Sequence, residues 1–321
     1  VPEAFRERLE VASRSNLYDQ LRYASEFLGI RKALAKEGIE AVPYKGFWFG
    51  HEYYGNMADR EGVDIDLMIS FSDLEKAMAL MPELGYRSET SDDPRFIRKI
   101  LKESAEYNFD KYDGDVRLFH VEYHWKMGSS SHGMDISLDD LRNQVVTGRI
   151  QGNEFPVFNA SANLLLAVMH HAGKDQMIKL KQVLDIGRII HRGFDIDWDW
   201  LLRIAGRIHI EKGVYLSVRL ASQITGIEIP EALQQKLNAG DIRRLTEGRV
   251  KAMEAEPDWW YSRDYDRDEL MFHLRLRNSF TVRSRLLFNH VKGRIVGLIT
   301  PKRLLRFYLR RRYNINPVVD R

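Results

Sequence analysis

Val63-Asp64-Ile65-Asp66-Leu67-Met68-Ile69 alternates with the two-residue period of a β-strand. The spacing predicts Val63, Ile65, Leu67 and Ile69 on a core-facing side, with Asp64, Asp66 and Met68 on the other. Two carboxylates on one strand face repel each other when ionised. A divalent cation removes that penalty, and Mg²⁺ takes a few carboxylates together with waters and phosphate oxygens. Read alone, the same pair also fits a solvated edge strand.

Neighbouring segments decide between those readings. A third carboxylate is expected from an adjacent strand, and Phe119-His120-Val121-Glu122-Tyr123-His124-Trp125 offers Glu122. Its alternation puts Leu118, His120, Glu122 and His124 on one face, which is polar for a buried surface. Lys45-Gly46 stands where an extended run, Ile39 to Tyr44, gives way to an aromatic-rich segment, Phe47 to Tyr54, that reads as a helix. Gly46 would admit a phosphate close to the backbone, and a helix start favours negative charge. Lys45 would add a point charge, and Arg60, just before the aspartate strand, could serve likewise. Paired metals in such a site can activate an attacking oxygen and stabilise a departing pyrophosphate.

Further out, residues 5–38 read as two helices closed by Gly38, and Pro43 keeps its strand away from the centre of an antiparallel ladder. A helix is expected from Phe71-Ser72-Asp73 to about Leu84, with Ser72 or Asp73 as its cap and Gly85 as its stop. Strands over 104–113 and 116–125 would meet at the Asp113-Gly114 turn. A helix is expected over Leu138–Val146. From about residue 158 the helical period dominates: Leu164–His171, Ile178–His191, Trp198–Arg207 and Gly213–Thr225.

The 321 residues suit two domains rather than one small core. No cysteine is present, which excludes disulfides, thiolate zinc sites and cysteine nucleophiles. No apolar run is long enough for a membrane span, and the start, Val1-Pro2-Glu3, shows no secretory leader. A cytoplasmic location is therefore expected. Net charge is only +3, yet Met271–Arg321 holds thirteen Lys and Arg against one acid, Asp320. The amphipathic, basic stretch Pro301–Arg312 could meet a polyanion or a membrane surface, or dock on its own domain. Trp259-Trp260-Tyr261 reads as packing or as a cover over a cleft.

Taken together, Gly38-Ile39, Tyr44-Lys45-Gly46, Tyr54-Gly55, Arg60, Asp64-Ile65-Asp66-Leu67 and Glu122-Tyr123-His124-Trp125 resemble the uncharacterised bacterial nucleotidyltransferase family, part of the DNA polymerase β-like nucleotidyltransferase superfamily. His171-Ala172-Gly173-Lys174-Asp175, Lys179-Leu180-Lys181 and Asp185 follow a further segment of that family, with Asp175 where the family has a second His and Met177 where it has an aromatic. The resemblance covers roughly residues 15–310. It implies an α+β fold: a small mixed sheet flanked by helices, then a mainly helical domain. The expected division is helices over 1–38, a catalytic domain over 39–158 and a helical domain with a basic tail over 159–321.

The resemblance also implies roles. Asp64, Asp66 and Glu122 would be the catalytic, metal-binding triad for Mg²⁺ or Mn²⁺. Lys45, Gly46 and Arg60 would hold the triphosphate, and His171 and Lys181 count as further nucleotide contacts. The implied reaction moves a nucleoside monophosphate, AMP from ATP by default, onto an acceptor hydroxyl or phosphate and releases pyrophosphate. The acceptor could be a protein, a peptide, a small molecule or RNA. A kinase on the same scaffold, or a non-enzymatic nucleotide- or RNA-binding module, remains an alternative at this point.

Overall fold

The protein, seen as a computed structural model, is described for residues 2–88, 97, 100–102, 104–128, 133–192, 195–255 and 263–299. The sequence suggested two N-terminal helices; the structure has one, α1 (Glu3–Lys36). No proline interrupts it, and the space around its single inner glycine, Gly29, is open. Gly38, at φ 72°, then turns the chain out of the helix, and the Ile39 amide donates to the Leu34 carbonyl at 3.0 Å. Gln20, Ala24, Phe27, Ile30 and Leu34 recur at helical spacing and are buried, while the first turns stand in solvent.

Five strands form the central sheet: β1 (Ala41–Pro43), β2 (Ile65–Ile69), β3 (Tyr86–Ser88), β4 (Glu106–Asp113) and β5 (Val116–His124). Their spatial order is β1-β2-β5-β4-β3, with β2 and β5 parallel and every other pair antiparallel. The fold is therefore α+β with a small mixed sheet. β1 lies at an edge, as Pro43 requires. The Asp113-Gly114 turn joins β4 to β5 as expected, with Gly114 at φ 54°.

Several local expectations change. β2 begins at Ile65, and Val63 is exposed rather than core-facing. After β1 the chain forms a short helix, α2 (Gly46–Phe49), that widens into a π-helical turn over Gly50–Tyr54. The helix expected up to Leu84 shrinks to α3 (Leu74–Leu80), with 3₁₀ turns over Phe71–Asp73 and Pro82–Leu84. Pro82 lacks an N–H and disfavours helical backbone just before it, which ends the α-helix there. Neither Ser72 nor Asp73 caps α3 by a side-chain bond.

The helix expected over Leu138–Val146 is only α4 (Leu138–Leu141), started by a Ser137/Asp140 capping box. A 3₁₀ turn over Arg142–Gln144 follows, and the last two residues belong to a hairpin, β8 (Val145–Ile150) with β9 (Asn153–Phe158), turned at Gln151-Gly152. A two-residue pair, β6 (Lys126–Met127) and β7 (Ile136–Ser137), precedes it. β-branched Val145, Val146 and Thr147 favour the strand. The hairpin turns Phe155 to the core, where its ring meets Phe27 at 5.0 Å and Trp48 at 5.5 Å.

From Asn159 onward the described chain is helical, as its periodicity predicts: α5 (Ala160–His171), α6 (Leu180–Arg192), α7 (Trp198–Arg207), α8 (Glu211–Thr225), α9 (Glu231–Leu237), α10 (Gly240–Met253), α11 (Arg263–Leu276) and α12 (Phe280–Ile299). Asn159 caps α5 by accepting from the Ala162 amide at 3.0 Å. Trp259-Trp260-Tyr261 and Pro301–Arg312 lie outside the described residues. Among those described, no helix is long and apolar enough to cross a membrane.

Candidate active site

The parallel pairing of β2 with β5 sets Asp66 directly beside Glu122. Strand alternation then brings His120 and His124 onto the same face as Glu122. His124 Nε2 lies 3.1 Å from Asp66 Oδ1 and 3.1 Å from Glu122 Oε2. On the other side of Glu122, His120 Nε2 is 3.2 Å from Oε1, and His120 Nδ1 is 2.7 Å from Asp110 on β4. One ligand atom each from Asp66, Glu122 and His124 falls within 4.8 Å of the other two. Asp64 stands just before β2, half-buried.

The charges in this cluster shift one another. Repulsion by Asp66, and then burial, push the Asp64 carboxyl up to about 6, against the pull of Lys45. Burial disfavours charge on Glu122, but hydrogen bonds from His120 and His124 outweigh it and hold the carboxyl well below its usual range. Burial likewise opposes the His124 cation, yet its bonds to Asp66 and Glu122 and the charge of Glu106 raise the imidazole to about 9.

The Lys45-Gly46 turn adjoins these acids. Lys45 Nζ reaches Asp66 Oδ1 at 3.4 Å and sits over the Tyr44 ring at 4.6 Å. Burial would lower this ammonium, but Asp66, Asp64 and Glu122 more than compensate and raise it. Lys45 has φ 61° and ψ −148°, a backbone region that residues with a Cβ rarely occupy and that marks functional turns. Gly46 follows at φ 47°, and a Cβ there would stand 3.2 Å from the Asp64 carbonyl oxygen. The turn is thus pressed against the aspartate segment.

Arg60 lies behind the turn. Its Nη1 donates to the Gly46 carbonyl at 3.1 Å, while Nε and Nη2 grip both oxygens of Asp185 on α6 at 2.8 and 2.9 Å. Asp185 also accepts from the Tyr54 hydroxyl at 2.8 Å and faces His171 Nε2 at 3.1 Å. Burial alone would raise this carboxyl; Arg60 and His171 hold it well below the usual range instead. Lys181 donates to the Glu61 carbonyl at 2.6 Å, and burial together with the Arg60 charge lowers its ammonium.

The sequence matches the description "uncharacterised nucleotidyltransferase" over residues 1–226. The chain belongs to that family. No curated protein matches it. Among solved structures, it is similar to lincosamide antibiotic adenylyltransferase LnuA in lincomycin-bound form, at 15% identity and a TM-score of 0.37, over 52% of this chain and 95% of that one.

Of the site residues read from the sequence, the structure brings Lys45, Gly46, Asp64, Asp66 and Glu122 together. Arg60, His171 and Lys181 form a layer behind them that ties α5 and α6 to the nucleotidyltransferase core. Sequence reasoning missed Asp110 and the Tyr54 hydroxyl. Asp110 is paired through hairpin register and Tyr54 through a contact across 131 positions, so neither had a local signal. A cavity of about 480 Å³ lined by Arg219, Ser222, Glu228 and Asn238 lies among the later helices and shares no residue with this cluster.

Proposed function

We propose that the protein transfers a nucleoside monophosphate from a nucleoside triphosphate, ATP being the expected donor, to an acceptor hydroxyl or phosphate with release of pyrophosphate. The observation that carries this reading is the convergence of Asp64, Asp66 and Glu122 beside Lys45 in a chain of the nucleotidyltransferase family. A pure binder of polyanions would gain nothing from three converging carboxylates.

The donor set suits Mg²⁺ or Mn²⁺. Asp66 Oδ2 is buried without a hydrogen-bond partner among the described residues, and Asp64 resists ionisation next to it. Both features are relieved by a divalent ion on these oxygens. Asp64, Asp66 and Glu122 would hold it, and it would supply charge neutralisation on the phosphates. Glu122, kept ionised by two imidazoles, suits a ligand better than a proton acceptor. Lys45 and the Gly46 backbone would receive the triphosphate, with Arg60, His171 and Lys181 bracing that turn from behind. Most of the rate gain would come from positioning and fixed charge.

The test is incubation with ATP labelled at the α- or the γ-phosphate, Mg²⁺ and candidate acceptors. α-Label should enter the acceptor, and Asp64→Asn should abolish the transfer. Incorporation of γ-label would mean a kinase instead, and normal turnover by Asp64→Asn would overturn the site assignment.

A further inference from the structure

A second cluster of metal-type donors lies at the end of α5, in residues that the proposed transfer reaction does not use directly. The chain leaves α5 and folds back over its last carbonyls: the Asp175 amide donates to the His170 carbonyl at 3.0 Å and the Met177 amide to the His171 carbonyl at 2.7 Å. Gln176 and Met177 take left-handed φ values of 65° and 54° to make this turn. It delivers the Asp175 carboxylate onto the two imidazoles.

Three donor atoms then converge. His170 Nδ1 is 3.3 Å from His171 Nδ1 and 3.3 Å from Asp175 Oδ2. All three lie within 4.8 Å of one another. A tetrahedral ion with bonds of about 2.0–2.1 Å has ligand-to-ligand edges of about 3.3 Å, so two of the edges already have that length.

The surroundings fix two of the three donors in the form such an ion needs. Asp185 takes Arg60 on both oxygens and can only accept, so the His171 Nε2 facing it carries the proton. In neutral His171 the Nδ1 lone pair therefore points at His170 and Asp175. Gln182 Nε2 donates to Asp175 Oδ2 at 3.0 Å. A carboxylate behind a ligating histidine and a donor behind a ligating carboxylate are the usual supports of a protein metal centre.

We propose that His170 Nδ1, His171 Nδ1 and Asp175 Oδ2 form a second metal site for a zinc-class divalent ion. Two nitrogens and one oxygen select that class over Mg²⁺, which prefers oxygen alone. Three protein ligands leave the fourth tetrahedral position for water or a substrate oxygen.

The test uses the full chain, freed of metal by a chelator, and no nucleotide, so its outcome is independent of the transfer reaction. Zn²⁺ is titrated by calorimetry, and Co²⁺ is followed by the visible absorption of tetrahedral cobalt. With the carboxylate site disabled by Asp66→Asn, one ion should still bind per chain. His170→Ala and Asp175→Asn should abolish it while their metal-free circular dichroism matches that of the parent. Gln182→Ala should weaken it about ten- to a hundredfold. Absence of Zn²⁺ binding, binding untouched by His170→Ala and Asp175→Asn, or binding lost with Asp66→Asn would each overturn the proposal.

Discussion

At the residue scale, the site concentrates opposed titrations in a few side chains. Asp64 is pushed up to about 6 because Asp66 stands beside it, and the metal ion proposed for this site would bind its ionised form. Mg²⁺ affinity should therefore rise with pH through about 6, a dependence that Asp64→Asn removes; calorimetry at successive pH values checks it. His124 behaves in the opposite sense. Its folded-state value, about 9, lies above the ordinary 6.5, so its contribution is complete below pH 6.5 and disappears as pH rises through 9. The metal-free protein should lose up to about 3 kcal/mol over that window, and urea titrations of His124→Gln should show a flatter profile. An unchanged alkaline limb in His124→Gln would sink this assignment.

At the element scale, α1 does two jobs along its length. Its first turns expose Phe5, Leu9 and Val11, whereas Phe27 is fully buried against Phe47 and Phe155. Removing residues 2–15 should therefore shift the thermal midpoint little. Phe27→Ala leaves a cavity among the helix, the Lys45-Gly46 segment and the β8–β9 hairpin and should cost about 3–5 kcal/mol in denaturant titrations. A large loss from the truncation would mean that the exposed stripe is covered by something else. The long helix was half legible in the sequence. Its apolar period was visible, but nothing local says that Gly29 is tolerated. The β8–β9 hairpin was missed because Leu138 and Leu141 carry a helical spacing into residues whose strand pairing is settled only by Phe155 reaching the core.

At the scale of the whole molecule, Arg60 and Asp185 join the two halves. The pair is buried at both ends, bidentate, and connected through Gly46 to the turn that adjoins the carboxylates. Arg60→Ala leaves Asp185 as a buried charge with fewer partners and should destabilise the fold by about 3–5 kcal/mol. Arg60→Lys should recover only part of this, since a single ammonium cannot span both oxygens. Urea unfolding measures the loss; a cost under about 1 kcal/mol would show that the connection is dispensable. On the proposed reading Arg60 acts on the triphosphate through the Gly46 carbonyl it holds, so its variants should also shift the KM for the triphosphate.

The sequence by itself determined the strand that carries Asp66, the Asp113-Gly114 hairpin, the helical character after Asn159 and the grouping of Lys45, Gly46, Asp64, Asp66 and Glu122. Each depends on a short period, a turn residue or a motif of fixed spacing, all of which are written locally. Only the tertiary structure decided that β2 runs parallel to β5, which sets Asp66 against Glu122, and that Arg60 turns to Asp185 instead of standing free. The same holds for His170, His171 and Asp175, whose donor atoms meet only because the chain folds back over the end of α5. Parallel pairing, buried ion pairs and ligand geometry depend on which distant surfaces meet, and side-chain period carries no record of that.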